Sequence, residues 1–355
     1  MKVRKFRPLL VAALLGVVTL AVAGTGAARV DVAEQEPYKV VLVTDIGGLD
    51  DRSFNFLANK GLNDAKKRLG VQGKVLISRS DRDYIPNLTS AVRRDGADLV
   101  IGVGFLMADA LAKVAKRFPD TKFAIVDNSG VGTELKNGNP TNVRGLLFKE
   151  QEAGYLVGYI AGLRAKNAPA GQQVVAAVGG LKIPPVDRFI AGYYVGAKKA
   201  FPAVKVEHSY SQDFVDQAKC KEAALSHIAN GASVVFQVAG QCGLGVLSAA
   251  KERNRFGIGV DADQGYLGNH VLTSATKRVD IAVSSTIAAA EAGGAKFKTN
   301  FNAIFSVKTN GVGYGKISSR AQPSWRKAIE SVRKQIASGK IKVTAQSPPA
   351  SGSSG

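Results

Sequence analysis

The stretch YKVVLVTDIGGLDDRSFNFLANKGLNDAKKRLG, residues 38–70, shows the pattern on which the whole chain is built. Its first part is a short apolar run, rich in β-branched residues and closed by Asp45, which is typical of a buried strand. From Phe54 onward the apolar residues recur at helical spacing and the pattern stops at Gly70, which is typical of a helix and its end. The stretch therefore predicts one strand–helix unit, joined by a loop rich in glycine and aspartate.

The same strand–helix alternation is repeated along most of the chain. Four alternations up to residue 130 predict a parallel sheet with helices on both faces. A second series follows NVRGLLFKEQEAGYLVGYIAGLRAKNAP, residues 142–169, a strand joined to a Gly-rich apolar helix. We therefore expect two α/β lobes of similar build that join near residues 148–152.

The start of the chain has the composition of a targeting segment. A basic beginning precedes an apolar run of about 16 residues, which is shorter than the roughly 20 that a spanning helix needs. We expect a signal peptide at residues 1–28 and an exported mature chain, at the cell surface or in the periplasm. An uncleaved membrane anchor is the alternative. The segment contains no cysteine, so we expect no lipid attachment through an N-terminal Cys.

The 355-residue chain is strongly basic, with a formal net charge of +20. Such a balance fits binding to nucleic acid, to an anionic wall polymer or to an anionic ligand. However, the basic residues are spread along the whole chain, without long basic runs and with little aromatic interleaving. We therefore expect a solvated basic surface and no nucleic-acid partner.

Polar residues stand where the predicted strands end. Asp45 and Asp127 close strands of the first lobe, and Gly240 and Asp261 close strands of the second. Ligands of open parallel sheets lie beyond the carboxyl ends of the strands, so this set predicts a polar cleft between the lobes. Each acid also has a plain alternative role as the cap of the following helix. From periodicity alone, Phe54 is expected to be a core residue of its helix.

Patterns that belong to enzymes are missing from the sequence. The chain has 3 histidines, none in a metal-ligand spacing, and we expect His227 to pack within a helix. Neither a nucleophile elbow nor a phosphate-binding loop occurs, and the acidic loop lacks the order of a calcium site. We therefore expect no catalytic residues, no metal site and no cofactor.

Six motifs in a fixed order resemble the basic membrane protein (BMP) family of substrate-binding proteins, the PnrA-like nucleoside receptors of ABC importers. The resemblance spans residues 38–342, nearly all of the mature chain. The motifs are GGLDDRSFNFLANKGL (47–62), KEQEAGYLVGYIAG (149–162), VDRFIAGYYVGAK (186–198), NGASVVFQVAGQCGLGVLSAAKE (230–252), IGVDADQ (258–264) and VLTSATKRVD (271–280).

The resemblance implies an α/β fold of two Rossmann-like lobes with parallel sheets, joined by a three-crossing hinge, as in type I periplasmic binding proteins. Residues 37–148 and 276–305 would form the N-terminal lobe. Residues 149–275 and 306–345 would form the C-terminal lobe. The low-complexity residues 346–355 are expected to be a disordered tail.

The resemblance also implies roles for residues on the base side of the ligand. Phe54 would stack on the base, with Asn55 beside it. Asp45 and Asp127 would hydrogen-bond the base or line its side of the cleft. Asp51 is instead expected to cap the helix that Phe54 begins.

On the ribose side, the resemblance implies that Asp261 accepts hydroxyl groups. Lys277 and the backbone near Gly240 would assist it. The sequence departs from the family at Cys220 and Cys242, where small residues are usual. Both cysteines are expected at the starts of adjacent helices, which in an exported protein favours a disulfide.

The resulting hypothesis is a monomeric solute receptor that binds a nucleoside, most simply a purine nucleoside, and delivers it to an ABC permease. A protein of the same fold that binds a sugar or another small metabolite is the first alternative. An exported nucleoside hydrolase is the second, although the sequence offers neither a clear nucleophile nor a metal-bound water.

Overall fold

A computed structural model describes residues 36–130 and 140–351 of the chain. The predicted signal peptide, residues 1–28, lies outside these ranges. Of the predicted tail, residues 346–351 are described, and Ser351 Oγ accepts a hydrogen bond from the backbone N–H of His208 at 2.9 Å. Across the described ranges, none of the helices is both long enough and apolar enough to cross a membrane.

The first lobe is built on a six-stranded sheet whose order is β11-β5-β4-β3-β1-β2. Every neighbouring pair in it is parallel. The inner strands are mostly apolar, as expected where helices cover both faces of a parallel sheet, whereas the edge strand β2 carries Gln72 and Lys74. They are β1 (Lys39–Val43), β2 (Gln72–Leu76), β3 (Leu99–Val103), β4 (Lys122–Val126), β5 (Val143–Phe148) and, from much later in the chain, β11 (Phe301–Phe305).

The second lobe repeats this order in a six-stranded sheet, β12-β10-β9-β8-β6-β7. Its β10–β12 pair is antiparallel, unlike the purely parallel sheet expected. Between β10 and β12 the chain passes through α8 and β11 of the first lobe. It returns beside the carboxyl end of β10, where Val312 pairs with Lys277, so β12 runs back along β10 in the antiparallel direction. The strands are β6 (Val174–Gly179), β7 (Lys205–Tyr210), β8 (Ala232–Val238), β9 (Phe256–Asp261), β10 (Val271–Lys277) and β12 (Val312–Tyr314).

Helices connect the strands and cover both sheets. They are α1 (Phe54–Leu69), α2 (Tyr84–Arg93), α3 (Ala108–Arg117), α4 (Glu150–Lys166), α5 (Pro184–Ala200), α6 (Gln217–Ala229), α7 (Gly243–Glu252), α8 (Val279–Glu291) and α9 (Pro323–Ala337).

Helix α1 begins and ends where its sequence predicts. The Asp51 carboxylate accepts the backbone N–H groups of Ser53, Asn55 and Phe56 at 2.7–3.0 Å, so Asp51 caps the helix as expected. At the other end Gly70 adopts φ 72°, the left-handed conformation that favours glycine at a helix stop.

The Gly-rich apolar helix α4 packs closely against α5. A Cβ added to Gly158 would meet the backbone of Tyr193, and one added to Gly196 would meet the backbone of Tyr155. Glycine at these positions therefore lets the two helix backbones approach each other, which explains why α4 is buried along nearly its whole length.

The chain passes between the lobes three times, after β5, after β10 and after β11. The passages bond to one another: Lys149 N donates to Phe305 O at 2.8 Å, and Arg278 N donates to Gly311 O at 2.8 Å. The rings of Phe148 and Phe305 stack with centroids 4.9 Å apart.

The expected fold class of two α/β lobes is confirmed, while the predicted division between residues 275 and 276 falls inside β10.

Cys220 and Cys242 form a disulfide between the first turn of α6 and the residue before α7. Their Cα atoms are 5.6 Å apart and both side chains are buried. The bond closes a loop that contains β8, one of the strands that lead to the interlobe face.

Removing this disulfide is expected to lower the free energy of unfolding by about 3 kcal/mol, because the unfolded chain regains the entropy of a loop of roughly 23 residues. Denaturant unfolding of the parent and of the Cys220→Ala/Cys242→Ala variant, each with and without reductant, measures this. Reductant should affect only the parent. Two reactive thiols in unfolded, unreduced protein would contradict the bond.

Candidate functional site

The carboxyl ends of both sheets border one cavity between the lobes. In each sheet the order in which strands are added switches from one side of the first strand to the other. The switch lies between β1 and β3 in the first lobe and between β6 and β8 in the second. The loops at such a switch point lead to opposite faces of the sheet and leave a crevice between them. The space between the lobes is about 630 Å³, a figure that includes space open to solvent.

The structure brings every ligand-binding residue predicted from the sequence to this cavity. They come from the ends of five strands and from the start of α1, in both lobes. The residues are Asp45, Phe54, Asn55, Asp127, Gly240, Asp261 and Lys277. Their contacts with a ligand remain predictions.

Asp127 and Asp261 occupy matching positions in the two lobes, at the ends of β4 and β9. Both have left-handed backbone conformations, with φ of 69° and 59°. This conformation is unfavourable for a residue with a side chain, although aspartate tolerates it better than most. Such strain at a cavity wall is typical of residues held in place for function.

Lys277 places a fully buried positive charge at the back of the cavity. Its Nζ lies 2.6 Å from Asp127 Oδ1 and 3.0 Å from Glu150 Oε1. Burial alone would lower the pKa of Lys277, but the negative charges of Asp127, Glu150 and Asp261 outweigh it and raise that pKa. The lysine is therefore charged, and burial raises the pKa of Asp127 against the opposing pull of Lys277.

The ion pair of Lys277 extends deeper into the second lobe. Glu150, the first residue of α4, also accepts from Arg188 Nε on α5 at 2.7 Å. Glu150 and Arg188 could not be predicted from the sequence, because 38 residues separate them and neither ends a strand. Glu150 is completely buried, and neither Glu150 nor Arg188 lines the cavity. Glu150 therefore contacts Lys277 from the protein interior, and Arg188 contacts Glu150.

Aromatic rings surround the same ammonium group. Lys277 Nζ lies 5.1 Å from the ring centroid of Phe54 and 5.8 Å from that of Phe189. Phe54 is half-buried and packs against the core while it lines the cavity. Its stacking on a base stays a prediction. Phe189 comes from the second lobe, so rings of both lobes border the cavity.

Asp45 is fixed by its neighbours. Asn55 Oδ1 accepts the backbone N–H of Asp45 at 3.0 Å, and the Tyr84 hydroxyl donates to Asp45 Oδ1. Burial raises the pKa of Asp45 to about 6, although the bond from Tyr84 opposes the rise. In this structure the amide of Asn55 holds the end of β1, and its contact with a ligand stays a prediction.

Ser53 makes a direct contact between the lobes. Its Oγ donates to Asp261 Oδ2 at 2.8 Å. A serine directly before a helix suggests an N-cap, yet its side chain makes no capping bond because Asp51 serves that purpose. This alternative role explains why the sequence analysis missed Ser53.

The second lobe supplies an apolar wall that strand-end reasoning also missed. These residues lie in the loops after β6 and β7, in the first turns of α5 and at the end of β8, and no polar pattern marks them. They are Ile183, Pro185, Val186, Phe189, Phe214 and Val238. Val186, Phe189 and Val238 stand within the family motifs, which is the signal that was available.

A hydrogen-bonded Ser–His–Glu arrangement lies outside the cavity, on edge strand β7. Ser209 Oγ is 2.9 Å from His227 Nε2, and His227 Nδ1 is 3.0 Å from Glu207 Oε2. Glu207 also pairs with Lys205 at 2.6 Å. His227 is buried against its helix, as expected. Within the described ranges no cluster of three or more potential metal-ligating side chains occurs.

The buried carboxyl of Asp261 makes stability depend on pH. Burial raises its pKa from 3.8 to about 7, against the opposing effects of Lys277 and Ser53 and with the support of Asp127 and Asp51. Between these two pKa values the carboxyl of Asp261 is protonated in the folded state and ionised in the unfolded state. The free energy of unfolding therefore falls as pH rises, and the contribution of Asp261 is lost once the pH has passed about 7.

Replacing Asp261 by Asn is expected to remove this dependence. Between pH 5 and pH 8, the free energy of unfolding of the ligand-free parent should fall by about 2 to 3 kcal/mol relative to the variant, since one pKa unit corresponds to roughly 1.4 kcal/mol. Denaturant unfolding across this range measures the difference, and parallel pH profiles would show that Asp261 titrates normally.

Comparison with known proteins agrees with this geometry. A family model described as ABC transporter substrate-binding protein PnrA-like (Bmp) matches residues 38–347. The CD4+ T-cell-stimulating antigen of Listeria monocytogenes is 35% identical over 330 residues, which cover 86% of this chain and 88% of that protein. The ABC transporter nucleoside-binding protein BmpA of Lactococcus lactis is 34% identical over 329 residues, with coverages of 86% and 88%.

A solved structure shares the architecture. The ABC transporter solute-binding protein of Aeropyrum pernix K1 superposes with a TM-score of 0.77 at 29% identity, covering 86% of this chain and 93% of that one. The family expected from the six ordered motifs is thereby confirmed: the chain belongs to the Bmp family of ABC transporter substrate-binding proteins.

Proposed function

We propose that this chain is the exported receptor of an ABC importer and that it binds a nucleoside, preferentially a purine nucleoside, for delivery to a membrane permease. The observation that carries the proposal is the pairing of aromatic rings with strand-end carboxylates in one cavity. Phe54 and Phe189 border that cavity from opposite lobes, beside Asp127 and Asp261. The name of the lactococcal relative supports the same class of ligand.

The rings suit the base and the carboxylates suit the hydroxyl groups. A flat base that enters between the lobes meets an aromatic side chain from each, and stacking tolerates any base. Ser53 occupies Asp261 Oδ2, so Oδ1 is the oxygen that would accept a ribose hydroxyl. Asp127, held by Lys277, would then accept from the base.

The charges of the cavity favour a nucleoside over a nucleotide. Among the residues that the structure describes, four carboxyl groups line it, those of Asp45, Asp51, Asp127 and Asp261, against the single ammonium group of Lys277. Lys277 is already paired with Asp127 and Glu150. A phosphate group would therefore enter a negative cavity without a free cation to receive it, and binding would lose the electrostatic contribution that phosphate sites use.

Titration calorimetry with adenosine, guanosine, inosine, cytidine and uridine tests the ligand class. We expect binding of the nucleosides, tightest for the purines, and at least tenfold weaker binding of adenosine monophosphate because of the negative cavity. Ribose and myo-inositol serve as controls for the sugar alternative. Binding of a sugar but of no nucleoside would contradict the proposal, and release of free base on incubation would indicate a hydrolase instead.

Phe54→Ala is expected to weaken nucleoside binding by tenfold to a hundredfold, because stacking on a base contributes about 1–3 kcal/mol. Phe56→Ala is the matched control: it removes the same ring from the same helix, at a side chain that is 45% exposed and does not line the cavity. Calorimetry gives the affinities, and thermal unfolding confirms that both variants fold. Equal affinity of the two variants would remove the stacking role.

A further inference from the structure

Three arginines gather at the end of the second lobe that lies opposite the cavity. Arg164 is in the last turn of α4, Arg255 directly precedes β9, and Arg320 lies shortly before α9. The amino-terminal end of β9 is one strand length away from the cavity, roughly 20 Å for six residues at about 3.3 Å each. We call these three residues the arginine cluster.

Two side chains of the arginine cluster contact one ring. The guanidinium carbons of Arg164 and Arg320 lie 5.8 Å and 4.7 Å from the ring centroid of Phe256. Arg255 directly precedes Phe256, and its Nε is buried without a hydrogen-bond partner. Within the described residues, the polar contact of these guanidinium groups is that of Arg320 Nη2, which donates to Asn254 Oδ1 at 3.1 Å.

The positive charges of the arginine cluster are not balanced. Burial, and then the charges of Arg255 and Arg320, lower the pKa of Arg164. In the part of the chain that the structure describes, no carboxylate pairs with any of the three. By contrast Arg188 pairs with Glu150, and Arg278 with Asp280.

We propose that the arginine cluster is a binding site for a phosphate group. Guanidinium is planar, permanently charged and weakly hydrated, and its fork of donors matches the oxygens of phosphate. A bound phosphate would relieve the repulsion among the three charges. The exposed Lys251 and Arg253 beside the cluster extend the positive surface around it.

This site is independent of the nucleoside proposal. It lies at the opposite edge of the sheet, and none of its arginines lines the cavity. Phosphate bound at the cluster would therefore leave nucleoside affinity unchanged. The phosphate group would come either from a free anion or from the headgroup of an anionic lipid, and the experiment separates these sources.

Thermal unfolding in phosphate and in chloride, at equal pH and ionic strength, tests the site. We expect phosphate to raise the melting temperature of the parent but not that of Arg164→Gln/Arg255→Gln. The control Arg82→Gln/Arg117→Gln loses the same charge from exposed arginines of the first lobe and should keep the effect. If the cluster variant fails to fold, Arg320→Gln, an exposed side chain, carries the same test.

Sedimentation with phosphatidylglycerol vesicles, against phosphatidylcholine vesicles, tests the lipid source. Binding that the cluster variant loses and the control variant keeps would support the site with a lipid headgroup as its ligand. A phosphate effect in solution without vesicle binding would support it with a free anion. The proposal is overturned if neither probe acts on the parent, or if the cluster and control variants respond equally.

Discussion

The pairing of Lys277 with Asp127 and Glu150 is the interaction on which the site depends. A fully buried ammonium group is tolerated only when carboxylates compensate its lost hydration, and removal of one partner leaves an uncompensated charge that costs roughly 3–5 kcal/mol. Asp127 belongs to the first lobe, and Glu150 begins α4 directly after the first passage between lobes. One ion pair therefore fixes the cavity wall and the junction of the lobes together.

The polar groups around this ion pair are held by hydrogen bonds and ion pairs within the protein. Asn55 and Tyr84 hold Asp45, Ser53 holds Asp261, and Lys277 holds Asp127. A binding site whose groups are already oriented loses less conformational entropy when it binds, so more of the contact energy appears as affinity. The bond from Ser53 to Asp261 also crosses the cleft, so this conformation is one in which the lobes already touch at the cavity.

The sequence predicted what local pattern controls. Alternating strands and helices gave both sheets, and the strand-end rule found Asp45, Asp127 and Asp261, because strand direction alone decides where such residues lie. The strand-end rule did not find Glu150 or Ser53. The partners of these two residues are distant in the sequence, and their contacts form only where the lobes meet. Phe54 was only partly predicted by periodicity. Helical spacing assigned its ring to the core and the family motif assigned it to the cavity, and in the structure the ring contacts both.

Helix α4 shows how one element has different chemistry at its two ends. Its first turn carries Glu150 and Glu152, and its last turn carries Arg164 and Lys166, an arrangement that the helix dipole favours at both ends. At the first end, the acid has cationic partners in Lys277 and Arg188. At the other end, the carbonyl groups of the last turn carry only about half a negative charge, which offsets at most part of one guanidinium. Three arginines lie near that end, and in the described part of the chain no carboxylate pairs with them, which is why we propose that an anion from outside the chain binds there.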